Sequence, residues 1–483
     1  MTKCDLRLAN ATVFDGTGQP RRRADVLVDK GVICEVGQSH AAQAERTVDL
    51  QGLALAPGFI DVHTHDDRLL LADPSMTPKL SQGVTTVIAG NCGISLAPLG
   101  TREAIPPLNL VASGPGQRFD SFADYFQALE SAPPAINMAA LIGHTTLRAA
   151  TMDALDRQAN SAEITRMQAL VREALQAGVL GVSTGIYYAP AQAATADEIR
   201  AVCEPLRGTS ALIASHIRDE GDRVLQAMTE AMEIANTLGV RQVLSHHKVL
   251  GRANFGRSRE TLALLDEARE RLDVCLDCYP YTASSTVLRK DAVEQASRTL
   301  IAWSRSWPEA SGRYVDELLK ERGLALDALI AALQPAGAIY FSMDEADVER
   351  ILAHPQTMIG SDGLPHDTFP HPRLWGAFPR VLGYYARERG LFSLETAIYK
   401  MTGLSASRFG LPGRGLIQPG HAADLVVFDP DRVRDRASFA DPIQAAAGID
   451  RVYVNGVLAW HEGQSTAARA GQVIRRAPAT EVA

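Results

Sequence analysis

Basic residues are not in excess in this chain. Its 48 Lys and Arg are outnumbered by 56 Asp and Glu, a formal net charge of −8 over 483 residues. That argues against nucleic acid as the main partner, because no positive surplus exists to neutralise phosphates. No apolar run reaches the roughly 18 residues that a membrane span needs. The opening stretch MTKCDLRLANATVFDG has no apolar core of signal-peptide length. A cytoplasmic protein without membrane contact is therefore expected. Six cysteines (Cys4, Cys34, Cys92, Cys203, Cys275 and Cys278) are too scattered to form a disulfide framework, which suits a reducing compartment. No glycine-rich phosphate loop follows an early strand-like run, which disfavours a nicotinamide or ATP enzyme.

What is present is ordinary globular material, 46% hydrophobic and 22% charged, enough for a large core. The first 57 residues read as short strands punctuated by glycine. The tail from 414 has the same texture: HAADLVVFDP closes on Asp-Pro, and RVYVNGVLAW folds back at Asn-Gly. The two ends can build one small β domain. Residues 58–413 alternate helical and strand-like runs. Asn160 and Glu163 form a capping-box pattern, apolar residues follow at helical spacing, and Gly178 suits a stop. Such repeats predict a parallel α/β sheet or barrel. The stretch from about 288 to 340 breaks the rhythm and reads as a lid-like insertion, which would exclude water and select substrates.

The chemistry sits where strand-like runs end. In FIDVHTHDD, His63 and His65 face one way if the chain stays extended, spaced to share one metal ion. Alone, an H-x-H is weak. But VTTVIAGNC ends in Cys92, ALIASH in His216, VRQVLSH in His246 and MIGSD in Asp362. In an α/β barrel, strand C-termini form the catalytic face. Thiolate with imidazole favours zinc over magnesium or calcium, which take oxygen ligands. Asp362 is then a general-base candidate beside an activated water. Cys275 and Cys278 form a C-x-x-C, but positions i and i+3 of a strand face opposite ways, so ordinary strand cysteines are expected. His247 should point away from His246 into a supporting role. His144 is a weak candidate for the pocket wall. His40, His354 and His461 are expected at the surface.

Together these residues resemble the D-aminoacylase (N-acyl-D-amino-acid deacylase) family of the amidohydrolase superfamily. APGFIDVHTHDD is similar to its opening strand, and GRGLIQPGHAADLVVFDP to its return into the small β domain. Cys92 in GVTTVIAGNCGIS narrows the match, because many superfamily members bridge two metals through a modified lysine instead. LSHHKVLGRANFGRSRETL, DCYPYTASSTVL and MIGSDGLPHDTFPHPRLWGAFPRVLG are similar too, nearly end to end.

The resemblance implies a (β/α)8 TIM-like barrel with a small β-sandwich domain built from both chain ends. It implies that Cys92, His216 and His246 hold a tight zinc. His63 and His65, sharing Cys92 with Asp362 near, form a second, weaker site. Asp362 is the implied catalytic acid/base. Lys248, Tyr279, Ser285 and Arg373 match the binders of the substrate carboxylate, with Tyr188 at the carbonyl. The implied reaction is attack of zinc-bound hydroxide on the amide of a small-molecule N-acyl-D-amino acid, and the D preference comes from resemblance alone. Tyr340 and Met343 are similar to an apolar pocket wall. Glu294 in the pocket would repel acidic side chains, whereas Arg289 or Lys290 there would favour N-acyl-D-glutamate or N-acyl-D-aspartate. The rivals are a cyclic-amide hydrolase and a catalytically dead scaffold on the same fold. Side-chain preference, occupancy of the second metal site and oligomeric state are not legible from sequence.

Overall fold

A computed structural model describes residues 3–38, 43–100, 105–112 and 118–477; His40 lies outside them. Eight short parallel strand positions form a ring. They are Phe59–Asp61, Val84–Ala89, Asn137–Ala140 (continued by Ile142–Gly143), Gly181–Gly185, Leu212–His216, Arg241–Leu244, Val274–Cys278 and Thr357–Ile359. Pairing runs from each to the next, and a bridge from Thr64 to Gly363 joins the last to the first. The result is a TIM-type barrel. Ile60, Val62, Ile88, Leu180, Ala214, Val243 and Met358 are buried together in one apolar cluster, with both faces of every strand covered.

The helices between strands form where their sequences specify. Ser161–Ala177 opens on a capping box in which the Asn160 side chain accepts from Glu163 N and the Glu163 side chain accepts from Asn160 N. It ends at Gly178 with φ 102°, a left-handed conformation that glycine adopts at little cost. Met167, Val171, Ala174 and Leu175 are buried on one face. Val224–Leu238 repeats the pattern, with Met228, Ala231, Met232 and Ala235 inward and Gly239 as the left-handed stop. Burying a Val or Met side chain fully contributes about 1.5–3 kcal/mol, so this face, more than helix propensity, holds each helix to the barrel.

The two chain ends share one nine-stranded sheet. Ala54–Pro57 pairs with Lys3–Val13 on one side and with Leu425–Phe428 on the other. Leu8, Val26, Leu55, Leu425 and Val427 pack in its core. Between the seventh and eighth barrel strands an antiparallel sheet forms from Ala283–Val287, Ala336–Phe341 and Thr299–Ser304, backed by the helices Val315–Arg322 and Leu326–Leu333. It stands over the C-terminal mouth of the barrel and contributes Ser284, Ser285, Thr286 and Tyr340 to the cavity there. Among the described residues no helix is long and apolar enough to cross a membrane.

Candidate metal centre and substrate pocket

Six side chains from the ends of five barrel strands meet at that mouth. Cys92 Sγ lies 3.2 Å from His63 Nε2 and 3.2 Å from His246 Nε2. His246 Nε2 lies 3.0 Å from His216 Nδ1. Asp362 Oδ1 stands 3.2 Å from His65 Nε2 and 3.6 Å from His63 Nε2. All are buried. Ligands about 2.0–2.3 Å from a tetrahedral zinc stand roughly 3.3–3.8 Å apart, so the spacing and the mixed N and S donors fit such an ion. Burial alone would raise the Cys92 thiol, but the imidazoles of His63 and His246 hold it well below the usual thiol range. A thiolate is the form that ligates metal.

Local backbone geometry aims these groups. Cys92, His246 and Asp362 all have positive φ (53°, 36° and 50°), rare for residues with a side chain. Each costs on the order of 1–3 kcal/mol and persists because its surroundings over-determine it. The Cys92 loop shows how. Ser183 Oγ accepts from Gly93 N and donates to Gly90 O. A Cβ on Gly185 would lie 2.0 Å from Cys92 O, so the fourth strand can approach only as glycine.

The loops after the first and eighth strands are laced together. Asp61 Oδ1 accepts from His63 N and Ser361 N, and Asp362 N donates to His63 O. Lys79, with no exposed surface, reaches Asp61 Oδ2 at 2.8 Å, Ser361 Oγ at 2.9 Å and Asp66 Oδ2 at 3.2 Å. Lys79→Met would leave two buried carboxylates without their cation. It should destabilise the fold by about 3–5 kcal/mol, measured by urea unfolding; an unchanged midpoint refutes the assignment.

Beside the donor cluster is a cavity of about 50 Å³, lined among others by Tyr188, Lys248, Tyr279, Ser285 and Asp362. Arg373, fully buried, stacks its guanidinium 4.6 Å from the Tyr279 ring centre and places Nη1 2.8 Å from Asp362 Oδ2. Burial would raise the Asp362 carboxyl, but Arg373 and then His246 hold it well below the usual range. Tyr279 Oη, Ser285 Oγ and Arg373 Nε are buried with no hydrogen-bond partner. Unsatisfied buried polar groups are rare and need a reason. Tyr188 Oη lies 3.1 Å from Thr286 Oγ1, and its ring stands edge-on to His216. A wider cavity of about 480 Å³ opens outside, sharing Tyr187, Glu220, Leu250, Asp291 and Gln295 with the inner one.

Several expectations need correction. The first strand ends at Asp61 and the sixth at Leu244, so neither the His63–His65 pairing nor the neighbourhood of His246 and Lys248 comes from strand alternation. Turns place them. Lys248 Nζ lies 2.7 Å from His246 Nδ1 and 2.6 Å from Glu220 Oε1. His144 does not line the pocket; it is enclosed beside Glu198, 3.5 Å away. His354 is half-buried rather than free at the surface: its Nε2 lies 3.1 Å from the exposed Asp266. As expected, His247 is buried away from the donor cluster, against Thr261 Oγ1, and Cys275 and Cys278 are free buried strand thiols. Met343 faces a separate groove, with Glu294, whereas Tyr340 lines the inner cavity. Lys290 is drawn off to Asp327 at 2.6 Å. Arg289 lies at the outer cavity, paired with Asp291 and stacked on Tyr187.

Two site carboxylates escaped the sequence reading. Asp277 is the penultimate residue of the seventh strand; its Oδ1 lies 3.3 Å from His63 Nδ1 and accepts from His246 N at 2.8 Å. Its place near the C-terminal end of a barrel strand is the signal that marks it. Glu220 sits four residues after His216 in an irregular segment, where no periodic signal marks it.

The Amidohydrolase family model matches residues 46–459. A D-aminoacylase of Alcaligenes xylosoxydans xylosoxydans is 54% identical over 475 residues, covering 98% of this chain and 98% of that protein. An N-acyl-D-aspartate deacylase of the same organism is 53% identical, covering 98% and 95%. Among solved structures, N-acyl-D-glutamate deacylase from Bordetella bronchiseptica, complexed with zinc and a phosphonate mimic of the tetrahedral intermediate, superposes with a TM-score of 0.94 at 44% identity, covering 98% of this chain and 100% of that one.

Proposed function

This chain belongs to the amidohydrolase family, and from that premise we propose that it hydrolyses N-acyl-D-amino acids to a carboxylate and a free D-amino acid, with zinc as its metal. The observation that carries the proposal is the pairing of a thiolate–imidazole donor cluster with two unpartnered buried groups at one cavity, Tyr279 Oη and Ser285 Oγ, backed by the buried guanidinium of Arg373.

Cys92, His216 and His246 hold the metal, and His63 and His65, sharing Cys92, offer a second position. When bound, the metal lowers the pKa of a water and polarises the substrate carbonyl. The other steps belong to the chain. Arg373, Tyr279 and Ser285 take the substrate's α-carboxylate, with the planar guanidinium matched to two oxygens. Lys248 adds positive charge at the same wall. Tyr188 stands where the carbonyl oxygen comes to rest. Asp362, ionised at neutral pH, removes a proton from the attacking water and delivers it to the departing nitrogen.

The amino-acid side chain points toward Tyr187, Leu250, Ala292, Gln295 and Tyr340. Neither Arg289 nor Lys290 offers a free cation to this region, because Asp291 neutralises Arg289 and Lys290 serves Asp327. Uncharged side chains are therefore preferred over D-aspartate and D-glutamate. A panel of N-acetyl-D- and L-Met, Leu, Glu and Asp, with hydantoin beside it, tests this. The expected order is D-Met and D-Leu first, with L-forms and hydantoin unreactive. Faster turnover of any L-form or of hydantoin overturns the proposal, and faster D-Glu overturns the side-chain assignment.

A further inference from the structure

Glu220 lies beside the donor cluster at the cavity wall, 5% exposed, and a single oxygen of its carboxylate faces three site groups. Oε1 stands 2.6 Å from Lys248 Nζ, 3.2 Å from His246 Nδ1 and 3.7 Å from His216 Nε2. The ring nitrogens that point inward are the other ones. His246 Nε2 and His216 Nδ1 lie 3.0 Å apart, and His246 Nε2 is 3.2 Å from Cys92 Sγ.

Metal ligation through Nε2 would decide which nitrogen of His246 carries hydrogen. A neutral imidazole has one N–H and one lone pair. If His246 ligates through Nε2, its Nδ1 is protonated and needs an acceptor. Lys248 Nζ, 2.7 Å away, is only a donor and must turn aside from a protonated Nδ1, which leaves Glu220 Oε1 at 3.2 Å as its acceptor. The outward Nε2 of His216 has no hydrogen-bond partner, and the same oxygen is its nearest carboxylate. Ligating histidines commonly give their second N–H to such a carboxylate, which fixes tautomer and ring orientation. Lys248 balances the charge, so the carboxylate stays in place without metal.

We propose that Glu220 is a positioning residue of the metal centre, setting the tautomer and orientation of His246 by accepting from its outward nitrogen. The proposal rests on the hydrolase reading above, since it requires that this histidine binds metal.

The test is zinc affinity of the purified full chain, measured against a chelating dye with zinc chloride as the ligand and without substrate. Glu220→Gln should bind zinc roughly 10–100-fold more weakly than wild type, and Glu220→Asp should recover part of the loss. Because Glu220→Gln also frees the Lys248 ammonium beside His246, the double variant with Lys248→Met is measured too. It should stay weak if the missing acceptor is the cause. Melting of the metal-free forms, matched to wild type, verifies the fold. Zinc affinity within twofold of wild type in Glu220→Gln overturns the proposal, and so does full recovery in the double variant. A wild-type chain that takes up no transition metal overturns the hydrolase reading itself, a result distinct from either.

Discussion

Asp362→Asn should lower turnover of N-acetyl-D-methionine at least ~100-fold, the low end for general acid–base catalysis. The change keeps shape and removes the proton-accepting charge. Asp362 is placed for this role by its exceptional backbone, φ 50°, and by two restraints. Its Oδ2 is fixed by Arg373 at 2.8 Å, and its Oδ1 is turned toward His65 at 3.2 Å. Arg373 also keeps the carboxyl ionised despite burial, so the base is ready at neutral pH. The Cys92, His216 and His246 set does not include Asp362, so metal bound per chain, read by mass spectrometry, should stay near wild type. Near-normal turnover would remove Asp362 from the mechanism. Lost turnover together with lost metal would make it a ligand instead.

Cys92→Ser should cost more in metal retention than the roughly 10–100-fold attached to an outer partner. The thiolate is shared: it touches His63 Nε2 and His246 Nε2 at the same 3.2 Å, one imidazole from each proposed position. Serine preserves size but offers a hydroxyl that stays protonated near neutrality, a poor ligand for a soft-borderline ion. Both metal positions should empty together. Dialysis against a mild chelator followed by metal analysis shows it. A Cys92→Ser chain that keeps a full complement of metal would leave the histidines sufficient and the thiolate without its assigned part.

The barrel was legible because its helices announce themselves. Asn160, Glu163 and Gly178 bracket one helix by hydrogen bonding and φ preference alone, and the strands between helices are short apolar runs. The donors were legible for a topological reason, since parallel strands in a ring bring their C-terminal ends together whatever lies between. What did not come through was everything set by turns. The strands stop before His63, Cys92 and His246, and left-handed residues re-aim the last two. A period-two rule has no information past the last strand residue. Glu220 was missed for the same reason: it reaches His246 from an irregular loop. The inserted sheet defeated the side-chain question, because the partners of Arg289 and Lys290, Asp291 and Asp327, are fixed by that sheet's own packing.

The sheet shared by the two chain ends also bears on how the protein is made. As the chain emerges, Ala54–Pro57 appears early, but one of its neighbours, Leu425–Phe428, leaves the ribosome only after the whole barrel has been synthesised. Until then an apolar strand carries an open hydrogen-bonding edge, the kind of surface that recruits foreign strands. Nascent chains stalled before that point should therefore be the aggregation-prone species, and the late strand acts as the seal on a structure whose catalytic half is already built.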